Sequence, residues 1–261
     1  MHRLPSKYQS GFTLVELVTV IIILGILAVG MGNFLQFGSR IFTETSARDQ
    51  LVSSARFAIE RLNREVRHAV PNSVKEVNAN GNCLSFYPTI ASTVYIDIPV
   101  SPEADNDEIT IIPFDDNTVA LANNVIVYPL MATDFEPSVN TKYHPFTLPI
   151  DKTATPWVLS FSSPVSFAND SPTQRIFFYG DEVSYCVVGT QLIRSASGNS
   201  SVMADDILNY YSTNNMAAFK VTEATQTRNA TIQVRLQFGV NGEESGEQVT
   251  FNNEIQVPNV P

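Results

Sequence analysis

From Leu17 to Ser39 the chain carries no charged side chain, a run of 23 residues. The apolar stretch around it opens at Phe12 and is interrupted by one acid, Glu16. At about 1.5 Å of rise per residue, roughly 20 such residues cross the ~30 Å hydrocarbon layer of a bilayer. Beyond Arg40 the pattern turns from continuous to periodic. Leu51, Ala55, Ala58, Ile59, Leu62, Val66 and Ala69 recur at helical spacing and form one apolar stripe. Arg56, Glu60, Arg64 and Arg67 lie off it, and Glu60 with Arg64 makes a favourable i,i+4 pair. Pro71 ends the pattern. The expectation is a single helix of roughly 60 residues, membrane-spanning over 12–39 and amphipathic over 40–70. Gly25, Gly30, Gly32 and Gly38 each weaken it by about 1 kcal/mol relative to Ala.

After Pro71 the period falls to two. Cys83–Tyr87, Thr93–Ile98, Glu108–Ile112, Val125–Tyr128, Trp157–Phe161, Arg175–Tyr179, Glu182–Val188 and Gln191–Arg194 are short β-type runs divided by Pro, Asn, Asp and Gly. Thr231–Phe238 alternates strictly, with Ile232, Val234, Leu236 and Phe238 on one face. Gly189-Thr190 joins two of the runs as a hairpin. Asp205-Asp206 reads as a helix start before Ile207, and Trp157 as a core residue. The fold class expected is α+β, a long N-terminal helix against an antiparallel β-rich head over 71–261, with length enough for a single core.

Charge changes the picture at both ends. The first 11 residues hold His2, Arg3 and Lys7 and no acid, so this side is expected to stay in the cytoplasm while the head crosses the membrane. A secretory signal has its small-residue cleavage site after the apolar region, whereas Gly11 precedes it, so the run would stay in the mature chain. Without residues 1–11 the chain has 14 basic and 26 acidic residues, a net charge of −12. Segment 40–70 holds six Arg against Glu44, Asp49, Glu60 and Glu65; the head holds eight basic and 21 acidic residues. So acidic a head is unsuited to nucleic acid or anionic lipid, where neutralising phosphate dominates binding.

The segment from Lys7 to Ala28, with Gly11, Phe12 and Glu16 in fixed relation, resembles the prepilin signal of type IV pilins and type II secretion pseudopilins. The resemblance implies a pilin-like fold and cleavage by a prepilin peptidase between Gly11 and Phe12, with N-methylation of Phe12. It also implies an assembly role for Glu16, which attracts the amino terminus of a neighbouring subunit. An acid near the centre of a membrane helix costs about 2.5–3.5 kcal/mol. Glu16 would lie one turn from the new α-amine, whose reference pKa is about 7.7–8.0. In that family the outermost pseudopilin typically lacks this acid, which argues against the extreme tip. Many of its members carry a proline near the position held here by Asn33. Residues 185–194 resemble the hairpin of W-type minor pilins and J-type pseudopilins. The closing segment from Asn253 resembles the carboxyl end of O-type minor pilins of mannose-sensitive haemagglutinin pili.

Cys83 and Cys186 are the two cysteines, and in an exported chain they read as one disulfide, two free buried thiols being the alternative. Weak calcium candidates are Asp105, Asp107 and Glu108 in 103–108, with a solvated turn as the plainer reading; Asp115-Asp116-Asn117 is similar. No other metal and no cofactor is expected. His2, His68 and His144 sit in no catalytic pattern, and no zinc, serine-hydrolase or phosphate-loop motif occurs. The expected function is therefore a non-catalytic minor subunit of a type IV pilus-like filament, held in the inner membrane and then in the extracellular pilus. Its partners would be the peptidase, other major and minor pilins and the inner-membrane assembly machinery. The alternatives are an adhesin or ligand-binding subunit, or a J-type pseudopilin of type II secretion.

Overall fold

The computed structural model describes residues 11, 13–136, 142–153, 155–209, 216–225, 228–242 and 247–259. Helix α1 spans Leu14–Arg67, 54 residues without a break, although four glycines fall within it. Thr13 caps its start: the Glu16 amide donates to Thr13 Oγ1 at 3.3 Å, satisfying one of the first-turn N–H groups. At the other end the His68 and Ala69 amides close tighter i→i−3 bonds. The chain forms two compact units, Met1–Gln50 and Leu51–Pro261. In the first, the apolar side chains from Leu14 to Phe42 are exposed, and Arg40 pairs with Glu44 at 3.0 Å.

In the second unit the helical stripe is buried at every position from Leu51 to Ala69 that the periodicity marks. Strands β1 (Lys75–Glu76) and β2 (Cys83–Phe86) follow the helix. Next come β3 (Thr89–Asp97), β4 (Asn106–Ile111), β5 (Asn124–Val127), β6 (Tyr143–Pro145), β7 (Thr147–Asp151), β8 (Trp157–Val165) and β9 (Arg175–Tyr179). The chain ends with β10 (Val183–Val188), β11 (Gln191–Ala196), β12 (Asn199–Ala204), β13 (Phe219–Thr222), β14 (Ala230–Gly239) and β15 (Gln248–Val257). All named strand pairs are antiparallel, in sheets ordered β1-β2-β10-β11-β12, β13-β14-β15 and β6-β5-β9-β3-β4-β8-β7.

The seven-stranded sheet is contiguous in sequence, and the other two are built from what precedes and follows it. Residues 89–179 are thus an insertion between β2 and β10, which pair directly, Phe86 opposite Val183. The hydrophobic core divides the same way, where one was expected. The helical stripe packs with Leu84, Phe86, Tyr185 and Leu192 and with the inward row Ile232, Val234, Leu236 and Phe238 of β14. A separate cluster fills one face of the inserted sheet, around Tyr95, Ile111, Leu159, Ile176 and Phe178. Val70, Ile126, Phe135, Phe177 and Tyr179 form a smaller third cluster on the opposite face of the inserted sheet. Each large side chain so buried contributes about 1.5–3 kcal/mol.

Two local expectations give way. Residues 205–209 form no helix: Asp206 has φ 63°, and Ile207 bridges to Phe238 because its burial against β14 outweighs the local N-cap signal. The i,i+4 pair on the helix is made one residue along, Arg61 to Glu65 at 3.0 Å, where a carboxylate can also reach the head. Trp157, expected in the core, is half-buried and packs against the cluster of the inserted sheet, tilted against Phe114 with Lys152 Nζ 4.9 Å above its ring.

Candidate functional site: the processing and assembly segment and the head clamp

At the N-terminal segment, Gly11 is exposed, and among the described residues a Cβ there would meet nothing within 4 Å. Phe12 lies outside the described residues. Glu16 sits in the first turn of α1, where the helix dipole favours a negative charge, and its side chain is exposed. Around it Leu14, Val15, Leu17 and Val18 are exposed, so the acid stands within an apolar surface. Among the described residues α1 is the one helix long and apolar enough to cross a membrane.

In the head, α1 is clamped to β10 and β11 through Glu65. Its carboxylate accepts from Arg61 Nε at 3.0 Å, Arg194 Nε at 2.8 Å and the Tyr185 hydroxyl at 3.0 Å. Burial works to raise the Glu65 pKa, but the hydrogen bonds from Arg194, Arg61 and Tyr185 outweigh it and hold the group below its ordinary range. Burial first, and then the Glu65 charge, push the Tyr185 hydroxyl far upward, so it stays a donor. The residue types carried this signal in part, since Glu65 borders the apolar stripe and Tyr185 and Arg194 face each other across the expected hairpin. Pattern reading treated all three as surface or strand residues.

Beside this clamp Cys83 and Cys186 stand directly opposite on β2 and β10, Cα atoms 4.1 Å apart, and are disulfide-bonded. Gly81, just before β2, has φ 62°, and a Cβ there would lie 2.5 Å from the Phe219 carbonyl oxygen. Only glycine fits so close a backbone approach. Turn residue Gly189, φ 59°, opens the hairpin between β10 and β11.

Asp105, Asp107 and Glu108 do not gather into a metal site: among the described residues no group of three or more His, Cys, Asp or Glu side chains is placed to hold an ion. His144 stacks edge-on against Phe161 and Phe167 and donates from Nε2 to the Ser166 carbonyl at 3.1 Å, a packing role.

Residues 6–32 match the model of the prokaryotic N-terminal methylation motif. Comparison with curated proteins and with solved structures gives no match. The motif is a type IV pilin-like prepilin signal and supports a pilin or pseudopilin subunit.

Proposed function

We propose that the chain is a non-catalytic structural subunit of a type IV pilus-like filament, a minor pilin acting in initiation and assembly near the tip. The kind we propose is that of mannose-sensitive haemagglutinin pili. The observation that carries this is the methylation motif over residues 6–32, continued by an unbroken helix from Leu14 with Glu16 in its first turn. A prepilin peptidase removes residues 1–11 and the Phe12 amine is methylated. Among the described residues nothing crowds a side chain at Gly11, which accords with a glycine required by the peptidase rather than by packing. The chain waits in the inner membrane with 12–39 in the bilayer and the head in the periplasm, where the Cys83–Cys186 bond persists. It then joins other major and minor pilins through its N-terminal helix, with Glu16 meeting a neighbour's amino terminus.

A second reading, a ligand-binding or adhesive subunit, is favoured by the insertion 89–179. The helix-based core is complete without it, so this module is free to carry recognition. Intact mass of the membrane-extracted protein tests the first step. A chain beginning at methylated Phe12 is expected, and recovery of Met1 from cells with an active prepilin peptidase refutes the subunit reading.

A further inference from the structure

Thr13 stands immediately before α1 and holds its first turn from outside. Its Oγ1 accepts from the Glu16 amide at 3.3 Å, and its carbonyl accepts from the Leu17 amide at 3.2 Å. Thr13 is therefore the N-cap, and Glu16 is the third residue of the helix. Thr followed three places on by Glu is the pairing of a capping box. In that motif the cap hydroxyl takes the third residue's amide, and the third residue's carboxyl group takes the cap's own amide. The first of these bonds is formed here. The second is open: the Glu16 side chain is exposed and, among the described residues, its carboxyl group accepts no hydrogen bond. Thr19, close by, spends its hydroxyl on the Glu16 carbonyl at 3.0 Å.

In lipid, a carboxyl group and a backbone N–H left without partners are each costly, because no water is there to take them up. Leu14, Val15, Leu17 and Val18 give Glu16 apolar flanks. On the reading above, a neighbour's amino terminus supplies a partner after assembly, but a subunit still waiting in the membrane has no neighbour. From Thr13 to Gly32 the polar side chains are Thr13, Glu16 and Thr19 alone. The donor placed to serve the carboxyl group in the meantime is thus the amide of the residue that caps its helix.

We infer that Thr13 is a positioning residue for assembly: the waiting subunit rests its Glu16 carboxyl group on the Thr13 amide, closing the capping box, and gives that bond up when a neighbour's amine arrives. The exchange keeps the carboxyl group partnered before and after. It also divides the work of Glu16 in two. Closing the box needs an acceptor oxygen, which Gln supplies as Glu does. Attracting an amine needs the charge. The inference rests on the proposed assembly role of Glu16 and adds what the residue does before assembly.

Amide hydrogen exchange of the full chain in detergent micelles, read residue by residue by NMR, tests this together with incorporation into filaments in cells. The Thr13 amide should exchange about fivefold faster in Glu16→Val than in the unaltered chain, and within about twofold of it in Glu16→Gln. Thr13→Val removes the hydroxyl and keeps the shape. It should speed exchange of the Glu16 amide about fivefold and lower incorporation about fivefold, and Thr13→Ser should bring both back to within about twofold. A Thr13 amide that exchanges alike with Glu, Gln or Val at position 16 overturns the inference, as does equal incorporation of Thr13→Val and Thr13→Ser. If Thr13→Val escapes cleavage, the two Glu16 variants decide, since both leave Thr13 in place. A Glu16→Gln chain that protects the Thr13 amide and still incorporates normally refutes the charge role of Glu16 alone and leaves the capping bond standing.

Discussion

Replacing Glu65 by Gln tests whether the clamp between helix and hairpin is electrostatic. The side chain keeps its shape and one acceptor oxygen but loses its charge toward two guanidinium groups and one hydroxyl. Arg194 and Glu65 are only 19 and 20 % exposed, so their bond is a partly buried, charge-assisted one worth about 1.5 kcal/mol. Arg61 is 33 % exposed, and screening reduces its share to a few tenths of a kcal/mol. With a weakened bond from Tyr185, the expected loss is about 2 kcal/mol at neutral pH. For a unit of this size that lowers the melting temperature by about 4–8 °C. Thermal unfolding of the detergent-solubilised full chain, followed by circular dichroism, measures it. The sign with pH follows from the direction of the shift. A carboxylate whose folded pKa lies below its unfolded value contributes stability above that unfolded value, and loses the contribution as pH falls through the folded one. The gap between wild type and Glu65→Gln should thus be full at pH 7 and close as the solution is acidified below about pH 4. Equal melting at pH 7, or a gap that persists at low pH, would refute the electrostatic account.

Glu16→Val should leave cleavage and insertion intact, since it removes a residue costing a few kcal/mol in lipid. It should reduce incorporation into filaments, and normal piliation with wild-type crosslinking to neighbours would return Glu16 to a passive role. Non-reducing peptide mapping should recover one Cys83–Cys186 pair, and Cys186→Ser should cost about 2–5 kcal/mol because the bond closes a separation of 103 residues. Two thiols labelled quantitatively in the unfolded, unreduced protein would sink that expectation. Leu62→Ala, at a fully buried stripe position, should destabilise by about 2–5 kcal/mol in chemical denaturation, and a loss under 1 kcal/mol would show that the site collapses around the cavity.

Periodicity was informative where one face of an element meets one core. The stripe from Leu51 to Ala69 and the alternation from Ile232 to Phe238 were legible for that reason, and both rows are buried. Strand β12 was not, because Asn199, Ser200 and Ser201 form a polar edge with no row to read. Strand β15 alternates exposed and inward positions throughout, but Asn253 interrupts its apolar row of Val249, Phe251, Ile255 and Val257. Short β6 and β7 contain Pro145 and Pro149, which demote a strand reading, yet edges tolerate proline. The insertion was invisible, since which strands pair across 100 residues is a tertiary choice. At the N-terminal segment the residue types carry more than the geometry, for Gly11 and the Glu16 side chain are exposed among the described residues.

The pairing of β2 with β10 makes the scaffold a socket. Chain enters and leaves the insertion from adjacent strands, which lie only about 5 Å apart. A module with closely spaced ends can be shortened, enlarged or exchanged without moving the strands that hold it. The disulfide at Cys83 and Cys186 ties the far end of that pair, three residues behind the Phe86–Val183 rim, so the two strands stay joined even when the module between them is open. The surface of the inserted sheet can therefore diverge while the helix, the hairpin and the core around them stay fixed.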